Sequence, residues 1–210
     1  MPADNLFLNR AVVFLSVLVY WGGVLVQARR VRRRIGKSPN LNPRGMKERL
    51  LWAGWMLVII GWLAQAFLIG RLDVAGFHIL SSLANAMSLA IGLTVVALGY
   101  AGTLWCYAAM GDMWRIGIDR KNKAALVSRG PYRYVRHPIY LFQMVMLIGA
   151  FWLLPAGFSL ALILAHLICV LFKAADEEAF LLTTLGEEYR QYLARTGRLF
   201  PRVLPPVEKP

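Results

Sequence analysis

The chain has 210 residues, of which 58% are hydrophobic, and a mean hydropathy of +0.52. An ordinary soluble domain is excluded by that composition, because the apolar residues come in long unbroken runs. The formal charge of +13 fits either nucleic acid or the loops of a membrane protein, and the positions of the basic residues decide between them.

Residues 1–10 form a short polar leader. Residues 11–28 are apolar apart from Ser16 and Gln27, close to the roughly 20 needed to cross a bilayer. The run is followed by Arg29-Arg30-Val31-Arg32-Arg33-Arg34 and not by a small-residue cleavage site, so it reads as a retained span. Residues 29–49 carry nine Lys and Arg against one acid, Glu48. A second span follows over 50–70, with Trp52, Trp55 and Trp62. The third apolar run, 77–110, exceeds one span and is expected to tilt, kink or emerge as helix. Residues 111–139 are a second basic loop with seven Lys and Arg. Residues 140–154 and 158–172 read as a helical hairpin around Pro155-Ala156-Gly157, and 173–210 as a charged tail with a helical middle and a proline-rich end.

The expected fold is therefore all-α, a polytopic membrane bundle of about five transmembrane helices. It divides into three N-terminal spans (1–110) and a C-terminal region (111–210) with a helical cytoplasmic site. Five crossings put both basic loops and the tail on one face, leaving only Arg10 and Arg71 on the other. The positive-inside rule then places the N-terminus outside and the C-terminus in the cytoplasm. Because the basic residues follow topology, the bilayer is the expected partner and nucleic acid is not.

Common soluble designs are missing. No G-x-G-x-x-G follows a strand-like run, and no H-E-x-x-H, C-x-x-C or G-x-S-x-G occurs. Gly36-Lys37-Ser38 ends like a P-loop, but Val31 stands where the first glycine belongs. Cys106 and Cys169 lie in apolar runs and read as buried thiols. His78, His137 and His166 are far apart in sequence, so no metal is expected. His166 reads as a satisfied packing histidine, and Gln65, Asn85 and Gln143 as interhelical hydrogen-bonding residues. The tryptophans read as interface belt and core.

Two constellations carry chemistry, both on the inner face. The first is Leu126 to Tyr140, LVSRGPYRYVRHPIY. Pro131 and Pro138 fix their own φ and bias Gly130 and His137 towards extended backbone, giving a shaped loop that becomes a helix at Pro138. The second begins Lys173-Ala-Ala-Asp176-Glu177-Glu178 and continues through Leu181, Gly186, Tyr189, Tyr192, Arg198 and Pro201. Lys173 and Glu177, four apart, can pair along one helix face.

These segments resemble the C-terminal signature of the isoprenylcysteine carboxyl methyltransferase and phospholipid methyltransferase superfamily. Its pattern runs L-V-T-x-G-x-Y-x-x-x-R-H-P-x-Y, then an apolar hairpin, then E-E-x-x-L-x-x-x-F-G-x-x-Y-x-x-Y and R-x-x-P. Leu126-Val127-Ser128, Gly130, Tyr132, Arg136-His137-Pro138 and Tyr140 match it, followed by Glu177-Glu178, Leu181, Leu185-Gly186, Tyr189, Tyr192, Arg198 and Pro201. Ser128 and Leu185 depart mildly. Lys173 stands where the isoprenylcysteine enzymes have Arg; it keeps the charge and loses the bidentate fork suited to a carboxylate.

The resemblance implies an integral-membrane methyltransferase that uses S-adenosyl-L-methionine. Tyr132, Arg136, His137, Pro138, Tyr140, Glu177, Glu178 and Arg198 would hold the cofactor. Glu178, His137 and Lys173 would be catalytic, with Glu178 first and His137 second as base for a protonated amine. A carboxylate or thiolate acceptor needs no base. The acceptor would be lipidic or amphiphilic: a prenylcysteine carboxylate, a phospholipid amine or a small thiol. A non-catalytic membrane lipid-binding protein is the alternative from a different class.

Overall fold

The computed structural model describes residues 3–37, 45–115 and 125–202, together with Pro39 and Pro43. The proline-rich end of the tail and Arg44, Arg120, Lys121, Lys123 and Lys209 lie outside the described residues. Among the described residues there are six α-helices: α1 (Ala3–Ile35), α2 (Gly45–Leu68), α3 (Ala86–Met110), α4 (Pro138–Leu153), α5 (Gly157–Leu185) and α6 (Glu187–Arg195). Short 3-10 turns at Ala75–Phe77, Ser81–Leu83, Gly111–Met113 and Gly130–Arg133 join them. The protein is an all-α polytopic bundle.

Four of the helices, α1, α2, α3 and α5, are long and apolar enough to cross a membrane. The fifth apolar run, α4, has 16 residues and a length of about 24 Å, short of the ~30 Å hydrocarbon core. Its two ends nevertheless reach both ends of the bundle. Asn9 donates from Nδ2 to the Leu153 carbonyl at 2.8 Å, beside the 69–85 connector, where the Leu80 amide donates to the Pro155 carbonyl at 2.8 Å. At the opposite end, Arg34 pairs with Asp112 (3.2 Å) and Lys47 with Asp176 (2.5 Å), tying α1 and α2 to the face that carries α6 and the 125–137 loop.

Three element boundaries differ from the hydropathy reading. The basic run after the first span is helical through Ile35. The third helix starts at Ala86 and not at Phe77, because Asn85 caps it: its Oδ1 accepts from the Ser88 amide at 3.0 Å. Asn85 is thus a cap and not an interhelical bridge. The hairpin's second arm does not stop at residue 172; α5 runs unbroken to Leu185 and carries Lys173, Asp176, Glu177 and Glu178 on one rigid rod.

Helices α3 and α4 pack through small residues. A Cβ on Gly99 would lie 2.4 Å from Met146 Cγ and 3.0 Å from the Phe142 carbonyl, and one on Gly149 would lie 2.8 Å from the Val96 amide nitrogen. Close backbone approach of this kind supplies dispersion where lipid removes the hydrophobic driving force. Polar side chains cross the bundle too: Ser159 Oγ donates to Gln65 Oε1 at 2.8 Å, and Gln143 Nε2 to the Tyr20 hydroxyl at 2.6 Å. Gln65 and Gln143 are the interhelical residues expected. His166 is buried as expected.

Candidate active site

The loop before α4 is built by its prolines and one glycine. Gly130 has φ +60°, a left-handed conformation that favours glycine, and a Cβ there would meet Ala109 Cβ at 2.9 Å. Arg129 fixes the same point from the other side, its Nε donating to the Ala109 carbonyl at 2.8 Å. Pro131 opens the 3-10 turn, and Pro138 occupies the first turn of α4 with His137 as its N-cap.

A C-terminal strap closes against this loop. After α6 the chain pairs with residues 134–137: the Arg136 amide donates to the Gly197 carbonyl at 2.8 Å and the His137 amide to the Arg198 carbonyl at 3.1 Å. The Tyr192 hydroxyl donates to the Tyr132 carbonyl at 2.7 Å. Gly186, at φ +56°, turns the chain sharply between α5 and α6 and makes this return possible.

Side chains from loop, α5 and strap then converge. Glu178 accepts from Arg136 Nε at 2.8 Å, from Arg198 Nη2 at 2.6 Å and from Arg198 Nε at 3.1 Å, and it meets His137 Nε2 at 3.2 Å. Arg136 also donates to the carbonyls of Thr196 and Leu193. Glu177 accepts from the Tyr140 hydroxyl at 2.8 Å, lies 3.4 Å from His137 Nδ1, and has Lys173 Nζ at 3.9 Å. The His137 and Tyr140 rings are nearly parallel, with centroids 5.6 Å apart.

Burial alone would lower the His137 pKa, but the hydrogen bonds to Glu177 and Glu178 outweigh it and raise it above the ordinary histidine value. Arg198 is raised by Glu178. Burial pushes the Tyr192 phenol up to about 12, so it stays a neutral donor.

Beside this cluster lies a cavity of about 300 Å³, at the lower end of small-molecule sites. Its polar end is formed by Arg136, His137, Tyr140 and Glu177, and its deeper walls by Tyr20, Trp21, Trp52, Trp55, Tyr107 and Trp114. Tyr132, Tyr189 and Tyr192 complete the side facing the strap. Of the residues singled out from sequence, Tyr132, Arg136, His137, Tyr140 and Glu177 therefore stand on the cavity wall. Glu178, Arg198 and Pro138 stand behind it. Lys173 lines a small notch between α2 and α5 with Trp52, Trp55 and Cys169.

The aromatic walls from α1 and α2, and the Tyr192 clasp, were not assigned from sequence. Their signal was present only as aromatic residues in the halves of the spans next to the basic loops. Among the described residues, no three or more His, Cys, Asp or Glu side chains gather as a metal cluster.

Comparison with known proteins agrees with this layout. Residues 90–183 match the Isoprenylcysteine carboxyl methyltransferase (ICMT) family. Over that stretch the chain is similar to the ICMT family. The matched stretch holds the loop, the α4–α5 hairpin and both glutamates. Three relatives carry two kinds of name. A nickel-cobalt-cadmium resistance protein of Alcaligenes xylosoxydans xylosoxydans is 30% identical over 120 residues, 57% of this chain and 52% of the relative. A methanethiol S-methyltransferase of a Pseudomonas species is 27% identical over 198 residues, 93% of this chain and 58% of the relative. A second methanethiol S-methyltransferase, from Bradyrhizobium diazoefficiens, is 40% identical over 72 residues, 33% of this chain and 24% of the relative. The chain thus spans about half the length of the first two relatives, and less of the third.

Proposed function

We propose that this chain is an integral-membrane methyltransferase that uses S-adenosyl-L-methionine and methylates a lipidic or amphiphilic acceptor. The observation that carries the proposal is the junction of a charged cluster and an aromatic chamber in one cavity. The cofactor combines an ammonium, a carboxylate, a sulfonium and an adenine, and the residues present fit that set. Glu177 is the carboxylate on the wall for the ammonium, Arg136 and His137 are the cations for the carboxylate, and Tyr132, Tyr140 and the tryptophans offer π faces to adenine and sulfonium.

When bound, the cofactor supplies an electrophilic methyl group. The chain's own work is alignment and exclusion of water. The Glu178–Arg136–Arg198 cluster holds the strap closed, Tyr192 fastens α6 over Tyr132, and the indole walls keep the chamber dry. Lys173, at the notch between α2 and α5, lies on the side from which an amphiphile would come out of the bilayer. The orientation proposed is N-terminus outside and C-terminus in the cytoplasm, on the charge asymmetry of the loops.

A small thiol is the second reading of the acceptor, favoured by the 93% of this chain that aligns with a methanethiol S-methyltransferase. The test is incubation of the purified protein with methyl-labelled cofactor and three acceptors: a prenylcysteine, phosphatidylethanolamine and a short-chain thiol. Label should appear in an acceptor with wild-type protein and not with Tyr140→Ala. Label in none of them, with endogenous lipid extract also blank, would count against the reading.

A further inference from the structure

His137 is the one ring in the cluster with a carboxylate on each nitrogen. Glu177 Oε2 lies 3.4 Å from Nδ1 and Glu178 Oε1 lies 3.2 Å from Nε2. A neutral imidazole has one N–H and one lone pair, so with a neutral ring one carboxylate would face a lone pair. Both contacts are favourable only when both nitrogens carry protons.

The surrounding groups decide where the second proton sits. From the loop and the strap, Arg136 and Arg198 donate to Glu178, which keeps that carboxylate ionised. On α5, Lys173 lies near Glu177, and from α4 the Tyr140 hydroxyl donates to it, so Glu177 too is held as an acceptor. Trp55 of α2 adds only a ring edge against Tyr140, with centroids 5.8 Å apart. The proton therefore belongs on the ring. Its raised pKa agrees.

We propose that His137 is a fixed imidazolium, clamped doubly protonated between Glu177 and Glu178, and that it acts as an electrostatic anchor and not as a proton acceptor. Glu178, which lies behind the cavity wall, is then a positioning residue acting through His137. With His137 charged, four cations (Arg136, His137, Lys173, Arg198) surround two carboxylates. The polar end of the cavity carries a local positive excess that suits an anionic group of a bound molecule, within the reading of the site given above. The ring is then not the group that takes a proton from a methyl acceptor, and a thiolate or carboxylate acceptor needs none removed.

The test is a nitrogen-15 titration of ring-labelled histidines in the full chain in lipid nanodiscs. The chain has only three histidines, and His137 is assigned from its missing signals in His137→Gln. Both His137 nitrogens should report the protonated form from pH 6 through 7.5. Glu178→Gln should move the midpoint down by a unit or more. A neutral tautomer of His137 at pH 7 in the wild-type protein overturns the proposal, as does a midpoint unmoved in a folded Glu178→Gln sample. If that variant does not fold, Glu177→Gln provides the same comparison through Nδ1. No cofactor or acceptor enters the measurement, so its result is independent of whether the chain is a methyltransferase.

Discussion

Arg198 Nη2 donates to Glu178 Oε2 at 2.6 Å, and this pair fastens the C-terminal strap to α5 across the cavity's closed side. Its two partners are unequal. The Glu178 side chain is 10% exposed and shared with Arg136, whereas the Arg198 side chain is 40% exposed. Removing the buried partner should therefore cost more. Glu178→Ala leaves the Arg136 guanidinium, 12% exposed, without its carboxylate and should destabilise by about 3–5 kcal/mol. Arg198→Ala should cost about 1 kcal/mol or less. Thermal unfolding in detergent, followed by tryptophan fluorescence, ranks the two; equal losses would contradict the clamp geometry.

The pH dependence has a definite sign. A histidine whose folded-state pKa is raised contributes stability that is complete below its unfolded value, about 6.5. That stability is lost as pH rises through the folded value. His137 is raised, so the unfolding midpoint should fall on the alkaline side of pH ~6.5. In His137→Gln the fall over the same range should be smaller. A series of melting curves from pH 6 to 9 in one detergent checks it.

The α3–α4 seam makes a packing prediction. Gly99→Ala puts a methyl 2.4 Å from Met146 Cγ and 3.0 Å from the Phe142 carbonyl. The side chain can move but the carbonyl is backbone, so an overpacking loss of about 1–3 kcal/mol is expected. Gly22 sits in α1 with nothing within 4 Å of its would-be Cβ, and Gly22→Ala should be neutral or stabilising by up to about 1 kcal/mol. Chemical denaturation of both variants should show a loss for Gly99→Ala and none for Gly22→Ala.

Topology is open to a labelling test. In a variant with Cys106 and Cys169 replaced, a cysteine at Arg30 should react with impermeant maleimide only from the cytoplasmic side. One at Leu72, in the connector at the other end of the bundle, should react only from outside. Reversed labelling would invert the proposed orientation.

How much of this was legible in the sequence follows from particular residues. Long apolar runs gave the helices, and the fixed spacings around Arg136-His137-Pro138 and Glu177-Glu178 gave the polar end of the cavity. The start of α3 was obscured because residues 77–85 are largely apolar yet cap the bundle's end as 3-10 turns. The roles of Glu177 and Glu178 could not be separated either. They are neighbours in sequence, but helical geometry turns one to the cavity wall and the other to the arginines behind it. The aromatic walls escaped for a different reason: a uniformly apolar span shows no preferred face, so Tyr20, Trp21, Trp52 and Trp55 look like any other membrane aromatics until α1 and α2 are packed.

The central claim is that the cavity beside His137 and Glu177 binds the methyl-donor cofactor. Isothermal titration of the purified full chain with S-adenosylhomocysteine tests it most directly. Saturable binding is expected, weakened roughly tenfold or more in Glu177→Gln by loss of a charge-assisted contact. Leu15→Ala, on the exposed face of α1, should bind as wild type does. Absence of binding by folded wild-type protein, or equal affinity in Glu177→Gln, would contradict it.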